Sequence, residues 1–203
     1  MKKYAVLHEP GDIVTLAGTR FVVLDVERRG SLPDSLFLLA LESVGASEFG
    51  SSNNYAESDL KKAVDKWLED MGKRGLDNAK LIPREIDLTT LDGSGCYGKL
   101  SVKAAPLTLD EAREYADIIP NAERWCWLAT GWSGPSKSDG DLALYVYSNG
   151  DWDFNVCSNS YGIRPALKIP SDLLLDSADK PDLSEVPTDT LLEEIRRRVV
   201  DKA

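Results

Sequence analysis

The stretch Leu142-Ala143-Leu144-Tyr145-Val146-Tyr147-Ser148-Asn149-Gly150-Asp151-Trp152-Asp153-Phe154-Asn155-Val156-Cys157 decides the fold. Two alternating runs flank Asn149-Gly150, a dipeptide that accepts the left-handed backbone of a tight turn. Two registers are open. A two-residue turn would pair Tyr147 with Trp152 and Val146 with Asp153, mixing apolar and polar side chains on both faces. A three-residue loop with Gly150 left-handed in a bulge pairs Val146 with Trp152 and Leu144 with Phe154. Leu142, Leu144, Val146, Trp152, Phe154 and Val156 then share one face, expected to be buried. Tyr145, Tyr147, Asp153 and Asn155 share the other, expected to be exposed. A slip of one residue would exchange the two faces, so burial selects the second register.

Downstream, Tyr161-Gly162-Ile163-Arg164-Pro165-Ala166-Leu167 reads as the last strand of the sheet. Arg164 falls in a central region, where a buried carboxylate partner is expected in preference to a ligand contact. Upstream stand Trp125, Trp127 and Trp132, then a Gly/Ser/Asp loop from Gly131 to Asp141. Trp125, Trp127 and Trp152 are expected in the core. Ser138-Asp139-Gly140-Asp141 lacks the later ligands of a known calcium loop and reads as a solvated turn, so no metal and no cofactor are expected.

Toward the N-terminus, Ile13–Ala17 and Arg20–Glu27 flank Gly18-Thr19 as a hairpin. Leu36-Phe37-Leu38-Leu39-Ala40-Leu41 is a near-continuous apolar run that suits a strand buried on both faces. Over 58–71, Leu60, Val64, Trp67, Leu68 and Met71 fall on one helical face, with Ser58 as N-cap and Gly72 as terminator. Thr108-Leu109-Asp110-Glu111 is a capping box that predicts a second helix to about Asp117. Residues 73–107 between the helices read as irregular.

After Pro170 the composition changes. Residues 1–170 read as one domain, 171–187 as an Asp/Ser/Pro-rich linker, and 188–203 as a helix carrying Leu191, Leu192, Ile195 and Val199 on one side. About fourteen residues is marginal for an isolated helix, so that stripe needs a surface, on its own domain or on another chain. An oligomer formed through this helix is one use of it.

Composition narrows the function. The chain has 34 acidic and 24 basic residues for a formal charge of −10, which disfavours a nucleic-acid partner. No apolar run approaches the ~20 residues of a membrane span, and the start is too polar for a signal peptide. Cytoplasmic or phage-particle-associated residence is the expectation. Three cysteines, Cys96, Cys126 and Cys157, have no metal-type spacing and read as reduced thiols, with one pair allowed to lie close in space. The single histidine, His8, leaves no material for Ser-His-Asp or Cys-His catalysis.

Trp125-Cys126-Trp127-Leu128, Tyr145-Val146-Tyr147-Ser148-Asn149-Gly150 and Tyr161-Gly162-Ile163-Arg164-Pro165-Ala166-Leu167 together resemble an uncharacterised domain family of gut bacteria and their phages. Its members read Trp-Trp-Leu-Arg-Ser-Pro-Gly, a Ser/Asn-rich stretch, then Gly-Val-Arg-Pro-Ala-Leu. Asn53-Asn54-Tyr55-Ala56-Glu57-Ser58-Asp59-Leu60 and Leu107-Thr108-Leu109-Asp110-Glu111-Ala112 extend the likeness over roughly residues 11–169. The resemblance implies an α+β, C-type-lectin-like fold, a twisted mixed or antiparallel sheet with two helices and long irregular loops. Formylglycine-generating enzymes and the variable proteins of diversity-generating retroelements share that branch. Ala129-Thr130-Gly131 stands where the family has Arg-Ser-Pro, and the Glu-Pro-Asn and Trp-Asn-Asp motifs of lectin calcium sites are absent.

The resulting expectation is a non-enzymatic module that recognises a protein or carbohydrate ligand. Trp132, Tyr145, Tyr147, Asp153, Asn155, Asn159 and Tyr161 would supply the surface, because aromatic bodies bury area at little entropic cost while Asn and Asp adapt their hydrogen bonds. The alternatives are an assembly protein of a phage particle or bacterial surface complex, and a cysteine-dependent enzyme.

Overall fold

The computed structural model describes residues 2–5, 8–29, 32–135 and 138–177. In chain order the first strands are β1 (Lys2–Tyr4), β2 (Ile13–Leu16), β3 (Thr19–Arg29), β4 (Leu32–Ala40) and β5 (Ala46–Glu48), followed by α1 (Asp59–Lys73). Then come β6 (Arg84–Asp87), β7 (Lys99–Val102), β8 (Ala104–Ala105) and α2 (Leu109–Glu114). The remaining strands are β9 (Cys126–Gly131), β10 (Leu142–Val146), β11 (Trp152–Val156), β12 (Ser160–Gly162), β13 (Ala166–Pro170) and β14 (Leu174–Ser177). This is a mixed α+β fold, mostly antiparallel, with two α-helices among the described residues.

The apolar run of β4 organises the larger sheet, whose order is β1-β14-β2-β3-β4-β13-β8. Its side chains alternate between two cores, as expected for a strand covered on both faces. Leu36, Leu38 and Ala40 join Phe21 and Val23 of β3 and Leu60, Val64 and Met71 of α1. Phe37 and Leu39 join Val22 and Leu24 with Leu107, Leu109, Leu128 and Leu144. Each buried Leu or Phe contributes about 1.5–3 kcal/mol of transfer free energy.

The smaller sheet has the order β11-β10-β9-β12-β5, so β11 is its edge. The sheets meet at a corner where two antiparallel segments change sheets together: β5 pairs with β12 in one, and β4 with β13 in the other. Between them Val44 N donates to Ile163 O at 2.9 Å, Ile163 N to Gly45 O at 3.0 Å and Ala40 N to Pro165 O at 2.9 Å. Gly162 is required here, since a Cβ would fall 2.8 Å from Cys126 Sγ and 2.8 Å from Ser43 Oγ. Arg164 is buried at the same corner but has no carboxylate partner among the described residues, contrary to expectation. Its Nε donates to Ala40 O at 3.0 Å and its Nη1 to Pro120 O at 3.1 Å.

α1 begins as expected, with Ser58 Oγ accepting from Lys61 N at 2.9 Å. It runs through Gly72, however, and stops in a Schellman motif at Gly75, whose φ is +104°. Gly75 N donates to Gly72 O at 3.0 Å and Leu76 N to Met71 O at 3.1 Å, while Leu76 and Met71 are buried in the same core. α2 carries both halves of its capping box but is shorter than expected. Its regular part ends at Glu114, where the Tyr115 ring turns edge-on to Phe37 at a centroid distance of 5.7 Å.

Residues 73–107 are more ordered than their composition suggests, with β6 and β7 paired from Arg84↔Val102 to Asp87↔Lys99. The Arg84 side chain is buried, ion-paired to Glu111 and bonded to Ala105 O and Pro106 O at 3.1 Å each. The domain also extends past residue 170. Leu174–Ser177, read above as linker, pairs with β1 and β2, which places the chain start in the sheet as well. The helix expected over 188–203 and most of the expected linker lie outside the described residues.

The first hairpin turns one residue earlier than expected. Leu16 pairs with Thr19, leaving Ala17 and Gly18 as a two-residue turn with φ of +48° and +77°. Positive φ at both positions is the type I′ pattern, which disfavours a side chain with a Cβ at the first. Ala17→Gly or Ala17→Asn should therefore stabilise the protein by about 0.5–1 kcal/mol. Differential scanning calorimetry should record a rise in Tm of roughly 1–4 °C.

Candidate functional site

The 142–157 hairpin has the register that the side-chain pattern selected: Leu142↔Val156, Leu144↔Phe154, Tyr145↔Asp153 and Val146↔Trp152. Gly150 takes φ +94°, Gly150 N donates to Tyr147 O at 3.1 Å, and Tyr147 N donates to Asp151 O at 2.7 Å. The two faces are as expected, but their burial is not. Leu144 is fully buried, whereas Trp152, Phe154 and Val156 are 44 %, 38 % and 38 % exposed. These three sit on an edge strand, so each is covered from one side only: Phe154 by Trp132, at a centroid distance of 3.9 Å, and Trp152 by the Arg113 guanidinium, at 5.3 Å. Trp152 is thus not a core residue.

On the opposite face, Tyr145 is buried instead of exposed. The β9–β10 pairing sets it beside Trp127, which is buried against Phe49 and donates its indole N–H to Ser47 O at 3.0 Å. Burial pushes the Tyr145 phenol well above its usual pKa. Trp125 was expected in the core and is 42 % exposed, because it lies one residue before β9. It is the hub of an aromatic cluster. Its ring stacks on Tyr145 at 5.5 Å and meets Tyr147 and Tyr161 edge-on at 5.0 and 5.6 Å.

Polar groups from the edge strand close this surface. Tyr147 Oη donates to Asp153 Oδ2 at 3.0 Å, and Asn155 Nδ2 donates to Tyr161 Oη at 2.8 Å. Beside Trp125 an open depression is lined by Glu123, Arg124, Ser148, Ser160 and Tyr161. The structure therefore brings together five of the seven residues expected in a binding surface: Tyr145, Tyr147, Asp153, Asn155 and Tyr161. Trp132 is set apart on the other face against Phe154, and Asn159 occupies the turn after β11, its N–H bonded to Val156 O at 3.0 Å. Trp125 is the functional candidate that sequence reasoning assigned elsewhere. Its position just outside a strand was the available signal.

The 131–142 loop behind this surface is held by Asn53, a buried residue not singled out by the sequence. Asn53 Nδ2 donates to Ser133 O and Leu142 O at 2.9 Å each, and its Oδ1 accepts from Tyr97 Oη at 2.6 Å. A Cβ on Gly131 would fall 2.9 Å from Asn53 Cγ, so the chain is glycine there. In the Ser138–Asp141 turn, the carbonyls of Asp139, Gly140 and Asp141 accept from Leu142, Asn53 and Cys157 amides.

All three cysteines are free thiols. Burial pushes Cys126 up to about 11 and Cys157 up to about 12, while Cys96 is exposed. A thiol held protonated is a poor nucleophile. Ellman's reagent at pH 8 should therefore titrate Cys96 rapidly in the native protein and the other two only after unfolding. Rapid native modification of Cys126 or Cys157 would instead reveal an activated cysteine and favour an enzymatic reading. No family model, curated protein or solved structure matches this chain.

Proposed function

We propose that the chain is a non-enzymatic ligand-recognition module of C-type-lectin-like fold that binds a protein or glycan on the aromatic surface centred on Trp125. The observation that carries this reading is an indole 42 % exposed at the middle of a tyrosine cluster whose own polar tips are already hydrogen-bonded. Such a ring offers a rigid apolar face at little entropic cost, and the flanking Ser148, Ser160, Glu123 and Arg124 offer donors and acceptors. Tyr145 and Trp127 serve as scaffold beneath it. Asp153 and Asn155 in β11, with Tyr147 and Asn159 just outside paired strands, are partly exposed on an ordered backbone, an arrangement that suits the variable positions of a diversity-generating retroelement protein.

A second reading, assembly with another protein copy, is favoured by one specific feature. Trp152, Phe154 and Val156 place three half-exposed apolar side chains on an open sheet edge, where further strands pair readily. Under this reading Phe154→Lys lowers the oligomeric mass seen by light scattering, and under the first it leaves the mass unchanged.

A buried aromatic anchor typically accounts for about 2 kcal/mol or more of binding, roughly thirtyfold in affinity. Ligands selected with the wild-type chain from a glycan microarray and a displayed-peptide library should bind Trp125→Ala at least about thirtyfold more weakly. Tyr145→Phe should retain them. Equal binding by wild type and Trp125→Ala would remove this surface as the site. Sequencing of the flanking DNA addresses diversification: a reverse transcriptase and an adenine-mismatched repeat of the 125–167 segment are the expected marks.

A further inference from the structure

A separate pocket of about 380 Å³ lies between α2 and the 142–157 hairpin; Trp125 does not line it, although Tyr147 does. Its apolar lining includes Leu107, Leu109, Ile119, Leu128, Val146 and Trp152. Its volume is at the small end of the ~300–1,000 Å³ range of ligand pockets. The charge of the lining is one-sided. In a chain of formal charge −10, no Asp or Glu among the described residues lines this pocket, and its two charged residues among them are Arg113 and Arg164.

Arg164 is 7 % exposed, and its Nη2 has no hydrogen-bond partner among the described residues. The carboxylate that acts on it through space, Glu42, is hydrogen-bonded to Arg20. A buried guanidinium without a counter-charge is costly unless an anion is brought to it. Arg113 stands at the rim over the Trp152 ring, at 5.3 Å, and its ion pair to the exposed Asp110 is long, at 3.6 Å. Two guanidiniums and an apolar lining are complementary to one kind of occupant.

We propose that this pocket binds a small apolar carboxylic acid, its tail among the leucines of α2 and β9 and its carboxylate drawn to the cationic lining of Arg164 and Arg113. The site shares Tyr147 with the Trp125 surface but not Trp125 itself, and it does not depend on that reading.

Isothermal titration calorimetry of the full chain with decanoate and 4-phenylbutyrate, against their primary amides, tests it. The acids should bind at least about tenfold tighter than the amides, since a charge-assisted hydrogen bond is lost in the neutral compounds. Arg113→Gln should narrow that ratio several-fold. Ala112→Phe, which fills the pocket from the α2 flank, should abolish binding of both acid and amide while circular dichroism stays native. Trp125→Ala should leave acid binding unchanged, which separates this site from the recognition surface. The proposal is overturned if no acid binds at about 1 mM. It is equally overturned if amides bind as tightly as acids, or if the Ala112→Phe protein binds as the wild type does.

Discussion

The guanidinium of Arg164 reinforces a junction at which three parts of the chain meet. It lies just before β13, reaches the carbonyl of Ala40 at the end of β4, and reaches the carbonyl of Pro120 in the segment leaving α2. The corner between the two sheets is therefore held by a side chain bonded to backbone in addition to the ladder hydrogen bonds of Ala40, Val44 and Ile163. Through Pro120 the same side chain holds the segment leaving α2 at the apolar pocket that the hairpin residues Val146 and Trp152 also line.

Other polar side chains act in the same manner at the loops. Asn53 satisfies two carbonyls of the 131–142 segment and is itself satisfied by Tyr97. Arg84 links β6 to the start of α2 through Glu111, whose second oxygen accepts the Thr108 amide of the capping box at 2.9 Å. One carboxylate thereby serves both a helix cap and a buried ion pair. Loops that are long and rich in glycine stay placed because their carbonyls are bonded to buried amides and guanidiniums, whose loss would leave partners unsatisfied.

What the sequence made legible was periodicity. The hairpin register, the α1 face and the two-sided burial of β4 all follow from the spacing of apolar residues, and the structure has each of them. Edge position was not legible. Trp152, Phe154 and Val156 have the alternation of a core strand, and only the strand order leaves them half uncovered. The same limit explains Trp125: the tryptophan two residues on is buried, yet Trp125 lies one residue before β9, where tyrosines cover its ring only in part. The β6–β7 hairpin escaped because its short strands alternate around charged residues, and Arg84 is buried only by virtue of its distant partner Glu111. The Ala17 turn escaped because alanine is not a residue type that signals positive φ.

The pairing of β1 with β14 has a consequence for how the molecule is made. Lys2 sits opposite Asp176 in the larger sheet, and β14 also supplies the neighbour of β2. During synthesis β1 therefore precedes its partner β14 by about 170 residues, and its backbone groups wait that long for pairing. Long-range closure of this kind slows folding and prolongs exposure of strand edges. Synthesis of this chain thus carries a built-in interval of vulnerability to misassembly, ended only when residues 174–177 emerge.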